Sequence, residues 1–180
     1  MLEIAAAAVR GGADVIQLRH KSMARGELLT LARDMREVVG DALFIVNDYV
    51  DIALMCGADG VHLGPDDLTV DSARKVAGDR LLVGVSASTA DAVQPGADYV
   101  GCGPAFATPL KPNKEVIGPE GVADLMEAVT IPVFAIGGID ESNIALLTAL
   151  GIHRACVVRA VADAPDPEEA VRRLRAMLTP

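Results

Sequence analysis

Residues 99–106 read Tyr99-Val100-Gly101-Cys102-Gly103-Pro104-Ala105-Phe106, and two folds part company there. A β-branched run followed by Gly-x-Gly is how a dinucleotide-binding sheet begins its phosphate loop. That loop needs a third glycine three residues on, so that helix and strand can pack closely. Phe106 occupies its place, and no complete GxGxxG follows any other strand candidate. The open doubly wound sheet loses its defining feature.

Working outward, short apolar runs alternate with helical segments. Strands are expected at 15–19, Leu43–Asn47, Gly60–Leu63, 81–86, 99–104, 133–138 and 155–160. Arg25–Val39 has helical period, with Leu28, Leu31, Met35 and Val38 on one face and Arg33, Arg36 and Glu37 away from it. Pro167–Leu178 begins with proline and places acids before bases, as a helix dipole prefers. Strict alternation implies parallel strands joined by right-handed crossovers.

A weak repeat supports this. Gly12-Ala13-Asp14, Gly57-Ala58-Asp59 and Gly96-Ala97-Asp98 each close a helix and launch a strand, marking the stabilising end of the sheet. The opposite strand ends carry polar residues or glycine almost throughout: Arg19, Asn47, Ser86, Thr108 just beyond, Gly138 and Arg159. An open sheet gathers ligand contacts at one switch point, whereas a barrel draws them from all strands. The expected architecture is therefore a TIM (β/α)8 barrel, one domain over residues 1–180.

Composition agrees. The chain has 180 residues, 51% hydrophobic, which excludes disorder and suits one core. A net charge of −9 and 3% aromatics argue against nucleic acid and anionic membrane surfaces. No apolar run approaches the roughly 20 residues that span a bilayer. Cys56, Cys102 and Cys156 lack metal or disulfide spacing and read as reduced thiols in a cytoplasmic protein.

Gln17-Leu18-Arg19-His20-Lys21 is the sharpest chemical signal. Alternation puts Gln17, Arg19 and Lys21 on one side, and two cations facing inward ask for an anion. Structural ion pairs are the competing explanation. Asp48 and Asp67 sit on neighbouring loops; each alone suits a helix cap, and together they suit one hard cation. Cations beside two carboxylates point to metal-bound pyrophosphate. The 14-residue loop 105–118 carries Thr108, Lys111 and Lys114 and is long enough to be a lid, though Lys114 suits a solvated loop. Gly137-Gly138, before a helix capped by Asp140 or Ser142, is either a phosphate cradle or a plain turn. Arg159, at the end of the last strand, is within reach of the same phosphate or of a surface carboxylate. Ser86, at a strand end, is placed to hydrogen-bond a ligand, whereas Ser88 and Thr89 suit ordinary helix caps. His62 is expected inside its strand and His153 at the barrel bottom. Neither shows a Ser or Cys partner, so a covalent mechanism is not expected.

These residues resemble a known family. Gln17 to Lys21, Asn47-Asp48, His62-Leu63-Gly64 with Asp67, Gly84-Val85-Ser86, Gly103-Pro104, Thr108 with Lys111, and Ile136-Gly137-Gly138-Ile139 occur in the order found in thiamine-phosphate synthases. The resemblance implies a barrel transferase that joins a hydroxymethylpyrimidine pyrophosphate to a thiazole phosphate with Mg²⁺. It implies that Gln17, Leu18, Arg19, His20 and Lys21 with Asn47 hold the pyrimidine pyrophosphate, and that Asp48 and Asp67 ligate Mg²⁺. It further implies that Ser86 touches the pyrimidine, that Lys111 clamps pyrophosphate, and that Thr108, Gly138, Val158 and Arg159 bind the thiazole phosphate. Arg19, Lys21, Lys111 and Ser86 would then carry catalysis. The chain departs from the family at His20 (usually Glu), Ser88 (usually His), Leu110 (usually Thr) and Arg159 (commonly Ser). A related thiazole tautomerase and a non-catalytic precursor-binding barrel are the alternatives. Small phosphorylated molecules are the expected partners, with a homodimer as the candidate assembly. Seven strands are legible where a full barrel has eight, and the missing one is expected to be the first.

Overall fold

The computed structural model describes residues 1–109 and 115–179. The chain runs α1 (Leu2–Arg10), β1 (Val15–Leu18), α2 (Arg25–Val39), β2 (Leu43–Asn47), α3 (Val50–Cys56), β3 (Gly60–Leu63), α4 (Val70–Ala77) and β4 (Leu82–Ser86). A 3₁₀ turn, Ala90–Ala92, replaces the next helix. Then follow β5 (Tyr99–Cys102), α5 (Gly118–Ala128), β6 (Val133–Ile136), α6 (Ile144–Thr148), β7 (Ala155–Cys156), α7 (Arg159–Ala162) and α8 (Pro167–Leu178). The seven strands lie side by side in sequence order, every neighbouring pair parallel. This is the α/β barrel-type fold, with β1 and β7 unpaired with each other among the described residues. The helix layer closes where the sheet does not, because α8 packs on both α6 and α1.

Both faces of the sheet are used, as parallel strands require. Phe44, Val46, Val83, Val85 and Val100 are fully buried beneath the helices. The alternate residues Ile45, His62, Gly84, Tyr99 and Phe134 form the inward side by register. Gly84 stands opposite Tyr99, and a Cβ there would overlap the tyrosine ring, so glycine at 84 is what admits the ring.

At the lower, N-terminal strand ends, the aspartate of each Gly-Ala-Asp triplet is clasped by an arginine, and two of the three also take a strand N–H. Asp59 pairs with Arg36 at 2.7 Å and accepts the Phe44 N–H at 2.7 Å. Asp98 pairs with Arg74 at 2.5 Å and accepts the Val83 N–H at 2.6 Å. Asp14 pairs with Arg175 at 2.6 Å. Each arginine also donates to nearby carbonyls, including those of Ala42, Leu81 and Gly12. The triplets are stabilising features, as their position suggests.

Several boundaries differ from expectation. The buried stripe of α2 is Leu28, Ala32, Met35 and Val39, with Leu31 and Val38 only partly covered. Arg36, expected to point away, leans in to reach Asp59 at 2.7 Å. Gly96 follows the 3₁₀ turn and closes no α-helix. Among the described residues β7 pairs with β6 only and stops after two residues, and Arg159 opens α7 and does not close a strand. Helix α6 begins after Asn143; Asp140 instead accepts from the Ser142 N–H and hydroxyl in a turn before it.

Candidate active site

The upper, C-terminal strand ends gather most of the predicted residues into two adjoining groups. In the first, Asp48 follows β2 and Asp67 follows β3. Asp48 adopts φ 67°, a left-handed backbone rare outside glycine and a mark of local constraint. The Lys21 Nζ lies 3.1 Å from its carboxylate. Burial, and then the Asp67 carboxylate within hydrogen-bonding reach, push the Asp48 carboxyl above the usual carboxylate range, with Lys21 opposing. Asp67 moves the other way. Burial works against its charge, but hydrogen bonds from the Asp48 carboxyl and the Gly64 N–H, the latter at 2.8 Å, prevail. The two carboxylates thus perturb each other in opposite directions, and their closeness is of the kind a hard divalent cation can relieve. Among the described residues no group of three or more His, Cys, Asp or Glu is placed to hold a metal ion. Arg25 borders the two aspartates, stacked 4.8 Å over the Tyr49 ring and paired with Asp51. It went unnoticed in the sequence because it is the first residue of helix α2 and no strand end carries it.

Gln17, Arg19 and Lys21 are exposed, so the strand end buries neither cation. Lys21 has found its anion in Asp48, whereas Arg19 has no ion pair or side-chain hydrogen bond among the described residues. Leu18 is 1% exposed and faces the helices, which leaves only its backbone for a ligand. His20 accepts the Met23 N–H through Nδ1 at 3.0 Å, a loop contact. Asn47 is 9% exposed, ends β2 and stands in register with His62.

The second group lines a cavity of about 390 Å³. Ser86, Thr108, Gly138, Val158 and Arg159 all contribute to its wall. Gly137 and Gly138 have φ of 101° and 64°. A Cβ at 137 would press on Pro104 and one at 138 on Phe106 and Ala107, so the loop after β5 lies directly on this turn. Phe106 N–H donates to the Gly137 carbonyl at 3.0 Å. The Arg159 Nε is held by Asp163 at 2.9 Å, and both side chains border the cavity. Lys111, with Leu110 and Lys114, lies outside the described residues.

Between the groups stands a residue that sequence reasoning set aside. His62 lies with Nε2 2.9 Å from the Ser86 Oγ and Nδ1 3.2 Å from the Tyr99 hydroxyl. The expected absence of a serine partner is thus corrected. The three residues are far apart in sequence and meet because β3, β4 and β5 are adjacent. Their shared inward phase with Asn47 was the available signal.

Parallel βα units with their chemistry at the C-terminal strand ends define an α/β barrel-type enzyme. Comparison with known proteins narrows this. The thiamine monophosphate synthase family model matches residues 1–161, and the chain belongs to that family. It is 45% identical to the thiamine-phosphate synthase of Salinibacter ruber over 98% of this chain and 81% of that protein. It is 46% identical to that of Gloeobacter violaceus over 93% of this chain and 51% of that longer protein. Among solved structures, the thiamine phosphate pyrophosphorylase of Pyrococcus furiosus superposes with a TM-score of 0.91 at 37% identity, covering 98% of this chain and 88% of that one.

Proposed function

We propose that the chain is a thiamine-phosphate synthase that couples hydroxymethylpyrimidine pyrophosphate to thiazole phosphate, releasing pyrophosphate. Family membership supports the class, a transferase of thiamine biosynthesis. The observation that carries the chemistry is the juxtaposition of Lys21, Asp48 and Asp67 with the cavity of Ser86, Thr108 and Arg159. One group suits a pyrophosphate with its cation, the other a second phosphorylated ring.

In this reading Gln17, Arg19, Lys21 and Asn47 hold the pyrimidine pyrophosphate, aided by the backbone at Leu18 and His20 and by Lys111. Asp48 and Asp67 fit Mg²⁺, which binds through one or two carboxylates and leaves its remaining positions to water and phosphate oxygens. Bound there, it supplies positive charge to the leaving pyrophosphate. Arg19 and Lys21 stabilise the same growing charge from the β1 side. The methylene C–O bond breaks with its electron pair going to pyrophosphate. The thiazole nitrogen lone pair then forms the new C–N bond, leaving the positive charge on the thiazolium. No protein nucleophile is needed. Thr108, Gly138, Val158 and Arg159 hold the thiazole phosphate, the Arg159 guanidinium exchanging Asp163 for phosphate oxygens. Both substrates are small and water-soluble, which suits a cytoplasmic enzyme. No helix among the described residues is long and apolar enough to cross a membrane.

The test is purified protein supplied with both substrates, with and without Mg²⁺, assayed for thiamine phosphate and pyrophosphate. Product in the metal-loaded reaction is expected. No product at saturating substrate overturns the proposal, and thiazole isomerisation in the same preparation replaces it with the tautomerase alternative.

A further inference from the structure

The chain Ser86, His62, Tyr99 has the outline of a hydrolytic triad, with a serine on one imidazole nitrogen and an orienting group on the other. Its polarity differs. In a triad the orienting carboxylate accepts from Nδ1–H, leaving Nε2 to take the serine proton. Here the orienting group is a phenol. Burial pushes the Tyr99 hydroxyl far up, so it keeps its proton. Among the described residues, its one hydrogen-bond partner is the His62 Nδ1. A half-buried O–H with a single neighbour donates to it. Nδ1 then accepts, the ring hydrogen sits on Nε2, and Nε2–H donates to the Ser86 Oγ at 2.9 Å. The serine hydrogen is left to point elsewhere, and Ser86 lines the 390 Å³ cavity.

The three side chains are also seated. Tyr99 lies over Gly84 and packs edge-on against Phe134, with centroids 5.6 Å apart. His62 leans on Tyr99 at 5.6 Å, and a Cβ at Gly101 would come within 3.3 Å of its Cε1. Two glycines and two aromatic rings therefore fix the imidazole plane. Packing alone does not choose between tautomers; the phenol does.

We infer that Tyr99 is a positioning residue which, by donating to the His62 Nδ1, holds the imidazole as the Nε2–H tautomer and so commits Ser86 to act as a hydrogen-bond donor to a ligand in the cavity. The serine is oriented as a donor and is not activated as a nucleophile. Ser86's place in the substrate site rests on the synthase reading; the tautomer does not.

Two measurements separate these. Nitrogen-15 NMR of the ligand-free protein reads the His62 tautomer directly. The chain has three histidines, and the His62 signals are the ones lost in His62→Gln. Wild type is expected to show Nε2–H, and Tyr99→Phe, which keeps the ring and its packing, is expected to abolish that preference. A wild-type Nδ1–H pattern overturns the inference whether or not the protein is a synthase. The second measurement is a turnover cycle. Tyr99→Phe is expected to lower kcat about fivefold with both KM values within twofold, and to cost less than twofold more when added to Ser86→Ala. An equal loss on both backgrounds, or no loss in the single variant, overturns the positioning role. Wild-type protein that shows the Nε2–H pattern but makes no thiamine phosphate removes the synthase reading and leaves the tautomer assignment standing.

Discussion

Asp59 and Asp98 at the lower end of the sheet and Asp48 and Asp67 at the upper end are one side chain in two settings. Below, each carboxylate has its own arginine and a backbone N–H, and the pair is complete without a ligand. Above, two carboxylates lie against each other with a single lysine beside them, while Arg19 on the neighbouring strand end has no partner among the described residues. Charges that are satisfied internally hold a fold together. Charges brought together with too few partners are the ones that the proposed cation and pyrophosphate would complete. The difference lies in pairing, since the residue types are the same.

Substitutions at the two ends should therefore separate activity from stability. The largest effect is expected from Asp67→Asn, which keeps an oxygen for the Gly64 N–H but removes the charge. Its kcat should fall at least tenfold, or about 1.4 kcal/mol in the barrier, with the melting temperature little changed. Unaltered turnover would make Asp67 a loop cap and nothing more. Asp98→Ala should do the reverse. It strips the Val83 N–H and Arg74 of their acceptor, costs about 1–2 kcal/mol of stability, and lowers Tm by roughly 2–8 °C with kcat intact. A fall in kcat at unchanged Tm would erase the distinction. Arg159→Ala should raise the KM for thiazole phosphate about fivefold and leave the pyrimidine KM within twofold; equal shifts in both would place Arg159 outside that subsite. The smallest effect belongs to Asp14→Ala. Its clasp is largely solvent-exposed, and Tm should hold within about 1 °C by thermal melt. A larger drop would show that the third clasp bears as much load as the two more covered ones.

Most of the fold was legible before any coordinate. Seven strand positions, their parallel order and the functional end follow from apolar runs punctuated by Gly-Ala-Asp below and polar residues above. Strand lengths were overestimated at the upper ends, because the residues that leave the sheet there are still apolar or small, as at Val157 and Val158. Glycine phase was readable; glycine purpose was not. Gly84 looks like any small strand residue until Tyr99 is found lying across it.

The site divides the same way. The residue types at Gln17, Arg19, Lys21, Asp48 and Asp67 announce anion and cation chemistry, because charge at a strand end needs a reason wherever the strand sits. Their mutual pairing, above all Lys21 on Asp48, depends on how β1, β2 and β3 lie together. Sequence by itself determined the alternation of strand and helix and the parallel order of the strands, since these rest on local periodicity, and it marked out the residues on which the proposed site is built. Tertiary structure alone decided which aspartates are clasped by arginine and which lie against each other, and that His62 meets both Ser86 and Tyr99. Those are contacts between residues far apart in the chain, and they exist only once parallel strands are set side by side in register.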